Sequence, residues 1–230
     1  MKIFTIIKNN SVRIPGKNFI SLGNKPLWEH LVSELSDHEL FINTDSKRLI
    51  EEIQDNSKFD HCRLIKRSQK HIDWENNSKI NTSPVSDMFS EFLNEYVDDL
   101  NEPIVLTHVT SPFLKSDTIV DATNKLSSKY ESVHSVGVIK DFAWIKTKNS
   151  IREINFDRNV VQLTQDLDPL YISKGAFFII SKKTFMEHNN RISPNNYFYP
   201  LSHIESIEID TFEDLEFASV VYKGIKNGIY

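Results

Sequence analysis

Apolar runs of strand length alternate along the chain with stretches whose apolar residues recur at helical spacing, the pattern of βα units closing a largely parallel sheet. KIFTII (2–7) predicts the first strand, and Pro26 followed by LWEHLVSEL predicts a helix with proline in its first turn. A second strand over 39–43 runs into NTDS, where Thr44 or Asp45 is placed to cap the helix KRLIEEIQ. CRLIK (62–66) reads as a third strand and 85–96 as a helix. The most apolar strand, PIVLTHV (103–109), belongs at the sheet centre, and DTIVDATNKLSSK after it aligns Ile119, Ala122 and Leu126 on one helical face.

The rhythm breaks after SVHSVGVI (132–139). FAWIKTKNSIREINF holds two short extended runs around Lys148, Asn149 and Ser150, which predicts a projecting hairpin within 140–160. AFFIISKK, the strand SIEID and the helix FEDLEFASVVYKGI then resume the pattern, with Phe177, Phe178 and Phe185 read as core. The polar patch at 73–83 reads as one long loop. No repeat, low-complexity tract or interdomain linker interrupts the chain, so 1–230 is expected to form one α/β domain.

Composition narrows the function classes. A chain of 230 residues with 39% hydrophobic content can bury a full core. Net charge is −5 with Lys and Arg scattered, which excludes the basic face that nucleic acid requires. The single cysteine, Cys62, excludes an internal disulfide framework and any CxxC metal knuckle. No window approaches a membrane span, and the apolar run at the N-terminus is too short for a signal peptide, so a cytoplasmic chain is expected.

Candidate chemistry begins where the first strand ends. In an open parallel sheet ligands bind beyond the carboxyl ends of the strands, so the loop carrying SVRIPGKN faces the site. Lys8, Arg13 and Lys17 are placed to converge on a polyphosphate, with Gly16 and successive backbone N–H groups forming an anion-binding concavity, which suits a nucleoside triphosphate. On charge and glycine count alone the same stretch is equally a solvated basic turn, since neither GxxxxGK[ST] nor GxGxxG is present.

The order of motifs decides between these readings. Lys8-Asn9-Asn10-Ser11 with Arg13-Ile14-Pro15-Gly16-Lys17-Asn18, Gly23-Asn24-Lys25-Pro26-Leu27, Asn43-Thr44-Asp45-Ser46, Lys66-Arg67-Ser68, Thr110-Ser111-Pro112, Gln165-Asp166-Leu167, Lys174-Gly175-Ala176-Phe177 and Ile207-Glu208-Ile209-Asp210-Thr211 run nearly end to end. In that order they resemble the acylneuraminate (CMP-sialic acid) cytidylyltransferases. The resemblance implies a single three-layer αβα domain with a mostly parallel Rossmann-like sheet, joining CTP to a nonulosonic α-keto acid sugar with release of pyrophosphate, for surface polysaccharide synthesis. It implies a homodimer formed through the hairpin, each subunit reaching toward the other's sugar pocket.

Carried over residue by residue, the resemblance implies catalytic roles for Arg13, Lys17 and Asp210. It places Lys8, Asn10, Ser11, Asn18 and Arg67 on the nucleotide, and His108, Thr110, Ser111, Gln165, Tyr171 and Lys174 on the sugar. Glu208 and Asp210, two apart on a predicted strand, point to one side of it and offer hard oxygen ligands suited to Mg²⁺. Four positions depart from the family pattern: Lys8 stands for arginine, Val12 for a lysine or another cation, His108 for glutamine and Glu208 for aspartate. They read as a divergent subgroup acting on another acid sugar, or as a chain that kept the fold and lost turnover. A glycosyltransferase is disfavoured, because the one DxD, at 166–168, follows no apolar strand. A non-catalytic nucleotide-binding module would bind CTP without releasing pyrophosphate.

Overall fold

The computed structural model describes residues 1–77, 79, 82–160 and 162–229. The chain opens with β1 (Lys2–Ile7), a small ribbon of β2 (Ser21–Leu22) and β3 (Lys25–Pro26), then α1 (Leu27–Glu34), β4 (Glu39–Thr44), α2 (Lys47–Gln54) and β5 (Cys62–Lys66). Next come α3 (Gln69–Asn76), α4 (Val85–Tyr96), β6 (Pro103–Thr107), α5 (Ser116–Thr123) and β7 (Ser132–Ile139). The last part holds the ribbon β8 (Trp144–Lys146) and β9 (Ile151–Glu153), then β10 (Leu170–Ser181), α6 (Lys182–His188), β11 (Asn196–Pro200) and α7 (Phe212–Lys226).

Seven strands form one sheet in the order β11-β7-β10-β6-β1-β4-β5, with β6 at the centre as its apolar run requires. Only β10 runs antiparallel to its neighbours. Both faces are covered, and alternation along each strand sorts the core into two layers. Ile3, Ile7, Leu40, Ile42, Val105 and Ile179 meet Trp28, Leu31, Leu49 and Ile119 from α1, α2 and α5. Phe4, Phe41, Leu106 and Phe178 meet Phe89 and Phe92 of α4, with Phe4 stacked on Phe92 at 4.7 Å between ring centres. Each such fully buried side chain contributes about 1.5–3 kcal/mol, which is what holds β1 and its loop rigid. A third cluster, including Ile14, Leu27, Phe113, Ile209 and Val221, ties α7 to the loop after β1. Among the described residues no helix is long and apolar enough to cross a membrane.

The fold corrects several expectations. Ser46 caps α2, its Oγ accepting from the Leu49 N–H at 3.3 Å. The oxygens of the two expected caps serve elsewhere, Thr44 Oγ1 accepting from Ser46 N and Asp45 Oδ1 from Asn9 N. Pro26 precedes α1 as its cap residue and is not in its first turn. The stretch expected as one loop over 73–83 begins inside α3; what anchors that helix is a histidine, His71, fully buried between Ser68 Oγ and Asp87 Oδ2 at 2.8 Å each. Ser78, Ile80 and Asn81 of that stretch lie outside the described residues. SIEID is no strand: Ile209 N–H donates to Thr110 O at 2.8 Å, and its side chain is buried against α7. The helix expected over 117–129 ends at Thr123, α6 starts on the last two residues of AFFIISKK, and β11 occupies sequence that carried no prediction.

Candidate functional site

The carboxyl ends of β1 and β6 open onto a cavity of about 330 Å³, whose lining includes Lys8, Arg13, Lys17, Glu75, His108 and Asp210. The loop after β1 is pinned at both ends. Asn18 Nδ2 donates to the Lys8 carbonyl at 2.8 Å, and Ile14 is buried in the third cluster. Gly16 at φ 65° turns the chain into a short 3₁₀ turn that carries Lys17. Buried to 8% exposure, Lys17 donates from Nζ to the Ile209 carbonyl at 3.0 Å and to Asp210 Oδ1 at 2.9 Å. Arg13 Nη2 reaches the same Oδ1 at 2.8 Å. One carboxylate oxygen therefore holds two cations side by side at the cavity wall, the concentration of positive charge a polyanion needs.

Asp210 is itself held. Its N–H donates to Asp214 Oδ2, and Thr211 with Asp214 closes a capping box at the start of α7. Glu208 sits across a bulge in β10, where the register with β7 shifts between Ser173 and Phe178. Ser135 Oγ and Thr107 Oγ1 donate to the carbonyls of Lys174 and Ala176 there, leaving the Gly175 N–H to donate to Glu208 Oε1 at 2.7 Å. A Cβ on Gly175 would lie 2.7 Å from that same oxygen, so a larger residue there would push the Glu208 carboxylate away. Burial pushes the Glu208 carboxyl above its ordinary range, against the Gly175 N–H and Lys174, and the Asp210 charge adds to the rise. The two acids flank the buried Ile209, and among the described residues Glu208 Oε2 has only Lys174 Nζ, at 4.0 Å. Lys17 and Arg13 hold Asp210 Oδ1 and Gly175 holds Glu208 Oε1, so what these two acids offer a hard, oxygen-ligated divalent ion is the second oxygen of each carboxylate.

A second acidic cluster fits a metal less well. His71, Asp87 and Glu91 form the only three-group set of this kind among the described residues. Lys70 Nζ already sits 2.6 Å from Asp87 Oδ2, and both ring nitrogens of His71 are bonded within the protein. The Lys70 contact, then that of His71, hold the Asp87 carboxyl below its usual range.

The remaining expected residues divide. Ser11, His108 and Thr110 line the cavity, and Ser111 is buried behind it with an Oγ that has no partner among the described residues. Burial, then the charges of Arg191 and Lys17, push His108 down to about 4, so its imidazole is neutral at neutral pH. Asn10 is exposed and outside the lining. Arg67 is buried and reaches the cavity only through Glu75, whose Oε1 lies 2.5 Å from Arg67 Nη2 and whose Oε2 lies 3.4 Å from Lys8 Nζ. The Arg67 contact is an ion pair without hydrogen-bond alignment, so Nε and Nη2 lack an acceptor among the described residues. Lys174 stands beside Gly175 on the bulge, outside the lining. Gln165 and Tyr171 also stand outside it: Gln165 is exposed on a 3₁₀ turn, and Tyr171 pairs with Val138 at the far end of β10. Glu75 was missed because its stretch read as loop; a carboxylate facing a cationic cavity has no sequence signature.

Comparison with known proteins follows the same geometry. The chain is 27% identical to an N-acylneuraminate cytidylyltransferase of Streptococcus agalactiae serotype V over 93% of its own length, and spans about half, 52%, of that protein. It is 29% identical to the CMP-N,N'-diacetyllegionaminic acid synthase of Legionella pneumophila, with 92% of each chain covered. A solved 4-diphosphocytidyl-2C-methyl-D-erythritol synthase superposes over 96% of this chain and 98% of its own with a TM-score of 0.64 at 10% identity, a likeness of fold. The cytidylyltransferase family model matches residues 8–226, from the first cation of the loop after β1 to the end of α7, and by that match the chain belongs to the cytidylyltransferase family.

Proposed function

We propose that the protein transfers the cytidylyl group of CTP to a nonulosonic α-keto acid sugar, the sugar's anomeric hydroxyl attacking the α-phosphorus and pyrophosphate leaving. The observation that carries this reading is the pairing of Arg13 and Lys17 on one oxygen of Asp210 at the mouth of β1, where a triphosphate would meet two positioned cations and a carboxylate. Such transfer asks for in-line positioning and charge stabilisation more than for covalent chemistry. Lys8, Ser11 and Asn18 complete the phosphate loop, and Arg67 with Glu75 forms the inner end. His108, with a pKa of about 4, is a hydrogen-bond partner for the sugar and too weak a base to take its proton. Glu208 and Asp210 would hold Mg²⁺, which when bound neutralises charge on the α-phosphate and the leaving pyrophosphate. The relatives' names favour a nonulosonic acid, and the CTP pool on which the reaction draws fits a cytoplasmic protein.

Purified protein should release pyrophosphate from CTP only when Mg²⁺ and one acid from a panel of sialic, legionaminic, pseudaminic and octulosonic acids are present together. Equal activity with UTP, or CTP binding with no release for any acid, would overturn the reading.

The hairpin supports a second part of the proposal, a two-fold homodimer. Trp144, Ile145 and Ile151, with Ile154 just past its end, are exposed on a two-stranded ribbon that pairs with no other strand among the described residues, and such a ribbon is marginal alone. Continuous with it, Ile139, Tyr171 and Ile172 are exposed on the ends of β7 and β10. An apolar strip of this kind wants a partner surface, and a second copy is the simplest closed one. In such a dimer Gln165 and Tyr171, remote from their own cavity, would be free to serve the partner's. Light scattering should give about twice the 26.7 kDa chain mass, and Trp144→Glu with Ile154→Glu should halve it. A monodisperse monomer of the unmodified protein at micromolar concentration would refute the assembly.

A further inference from the structure

The cations around the cavity are almost all committed. Lys8 and Arg67 share Glu75, Arg13 and Lys17 share Asp210, and Lys174 faces Glu208. Arg191 differs: half-buried, it has no carboxylate within ion-pair distance and no hydrogen-bond acceptor among the described residues. Its place is set by its neighbours. Asn189, at φ 47°, ends α6 in the left-handed region and turns the chain back toward the sheet. On the near side the Ile192 N–H donates to Asn190 Oδ1, and beyond it the Ser193 N–H donates to the buried Ser132 Oγ at 2.9 Å. The guanidinium then lies over the Phe178 ring, 4.0 Å from its centre. Phe178 pairs with Leu106 in the register of β10 on β6, two residues before His108 and on the same face of the sheet. Arg191, outside the cavity lining itself, is thus placed next to the strand ends that carry His108.

A second group beside that ring is also unmatched. His134 is buried and stacked on Phe178 with ring centres 4.4 Å apart; Nε2 contacts Ser173 Oγ at 2.8 Å, while Nδ1 has no partner among the described residues. Burial holds both histidines down at about 4, and the charge on Arg191 is the next cause at each. A half-buried guanidinium that keeps no carboxylate partner among the described residues is available to an arriving anion, which would be its first charge partner.

We propose that Arg191 binds the carboxylate of the acid sugar. The proposal rests on the reading of function above, because that substrate class carries its carboxylate on the same carbon as the attacking hydroxyl. The triphosphate occupies the paired cations of the loop after β1, so the carboxylate needs its own cation beside His108, and a planar guanidinium matches a carboxylate by two parallel hydrogen bonds.

Calorimetry with N-acetylneuraminic acid and N,N'-diacetyllegionaminic acid, each against its methyl ester, tests this without requiring turnover. The unmodified protein should bind at least one acid about tenfold or more tightly than its ester, the size of a charge-assisted hydrogen bond. Arg191→Leu should bind acid and ester alike while its CTP affinity stays within about twofold, and Arg191→Lys should keep part of the preference. Arg191→Gln, which retains contact with Phe178, carries the same expectation should the leucine variant fail to fold. A preference that survives removal of the guanidinium, no preference in the unmodified protein, or a lower Tm with an unchanged acid-to-ester ratio would each overturn the assignment. Acid binding through Arg191 with no CMP-sugar formed would support it and would instead sink the proposed reaction.

Discussion

Asp210→Asn should lower pyrophosphate release by at least about two orders of magnitude while the protein stays folded. The expected size is that of removing one preorganised group from a charge-stabilising site. Two effects combine. The neutral amide no longer holds Arg13 and Lys17 on one oxygen, so two cations placed for the triphosphate repel and spread, and one of the two carboxylates able to hold a divalent ion is lost. Stability should change little. Asp210 and Arg13 are 37% and 64% exposed, where ion pairs contribute about 1 kcal/mol or less, and Lys17 keeps the Ile209 carbonyl. The backbone of Asp210 remains anchored by Asp214. Turnover at limiting Mg²⁺ and thermal unfolding of the same preparation decide the matter. If Asp210→Asn and Glu208→Gln both retained unmodified turnover, the placement of charge and metal at this carboxylate would be wrong.

Gly23→Ala should lower Tm by roughly 8 °C, far from the cavity. Gly23 turns β2 into β3 at φ +64°, which an L side chain adopts at about 1 kcal/mol of strain. The added Cβ would also lie 2.0 Å from Tyr222 Cε1. That ring cannot give way cheaply: its hydroxyl donates to Asn24 Oδ1 at 2.8 Å, and it meets the His30 ring edge-on at 5.5 Å. Forcing it aside adds about 1–3 kcal/mol, and 2–4 °C per kcal/mol is expected for a chain of this size. Because Tyr222 docks α7 onto the ribbon, the loss should appear first as exposure of α7 in hydrogen exchange. Combining Gly23→Ala with Tyr222→Ala should cost less than the sum of the two. A fall in Tm under about 2 °C would show that α7 is docked by its other contacts.

The centre of the sheet was legible because its strands are buried on both faces and read as continuous apolar runs, as β1, β6 and most of β7 do; β11, a half-exposed edge strand, gave no such run. Local periodicity failed where burial is local in cause but polar in chemistry. Nothing marked α3, since the residue it buries is His71 and its face carries few apolar side chains. SIEID alternated like a strand because Ile207 and Ile209 face the third cluster, and alternation reports a buried side, not a ladder partner. The loop after β1 showed its cations and glycine but not their geometry.

What the sequence determined by itself was the α/β class, the hairpin, and the charged loop at the end of β1, each a property of residues within a few positions of one another. The tertiary structure decided which charges meet. Lys17 and Asp210 are 193 positions apart and touch only because α7 buries Ile209 beside Ile14. Glu75 reaches Arg67 only once α3 forms, and the Phe178 ring, held in the α4 layer of the core, is what the Arg191 guanidinium packs over in place of any carboxylate among the described residues. Side-chain pairing depends on distances of a few ångströms set by packing between remote segments, and a linear pattern of apolar and polar residues carries no such distances.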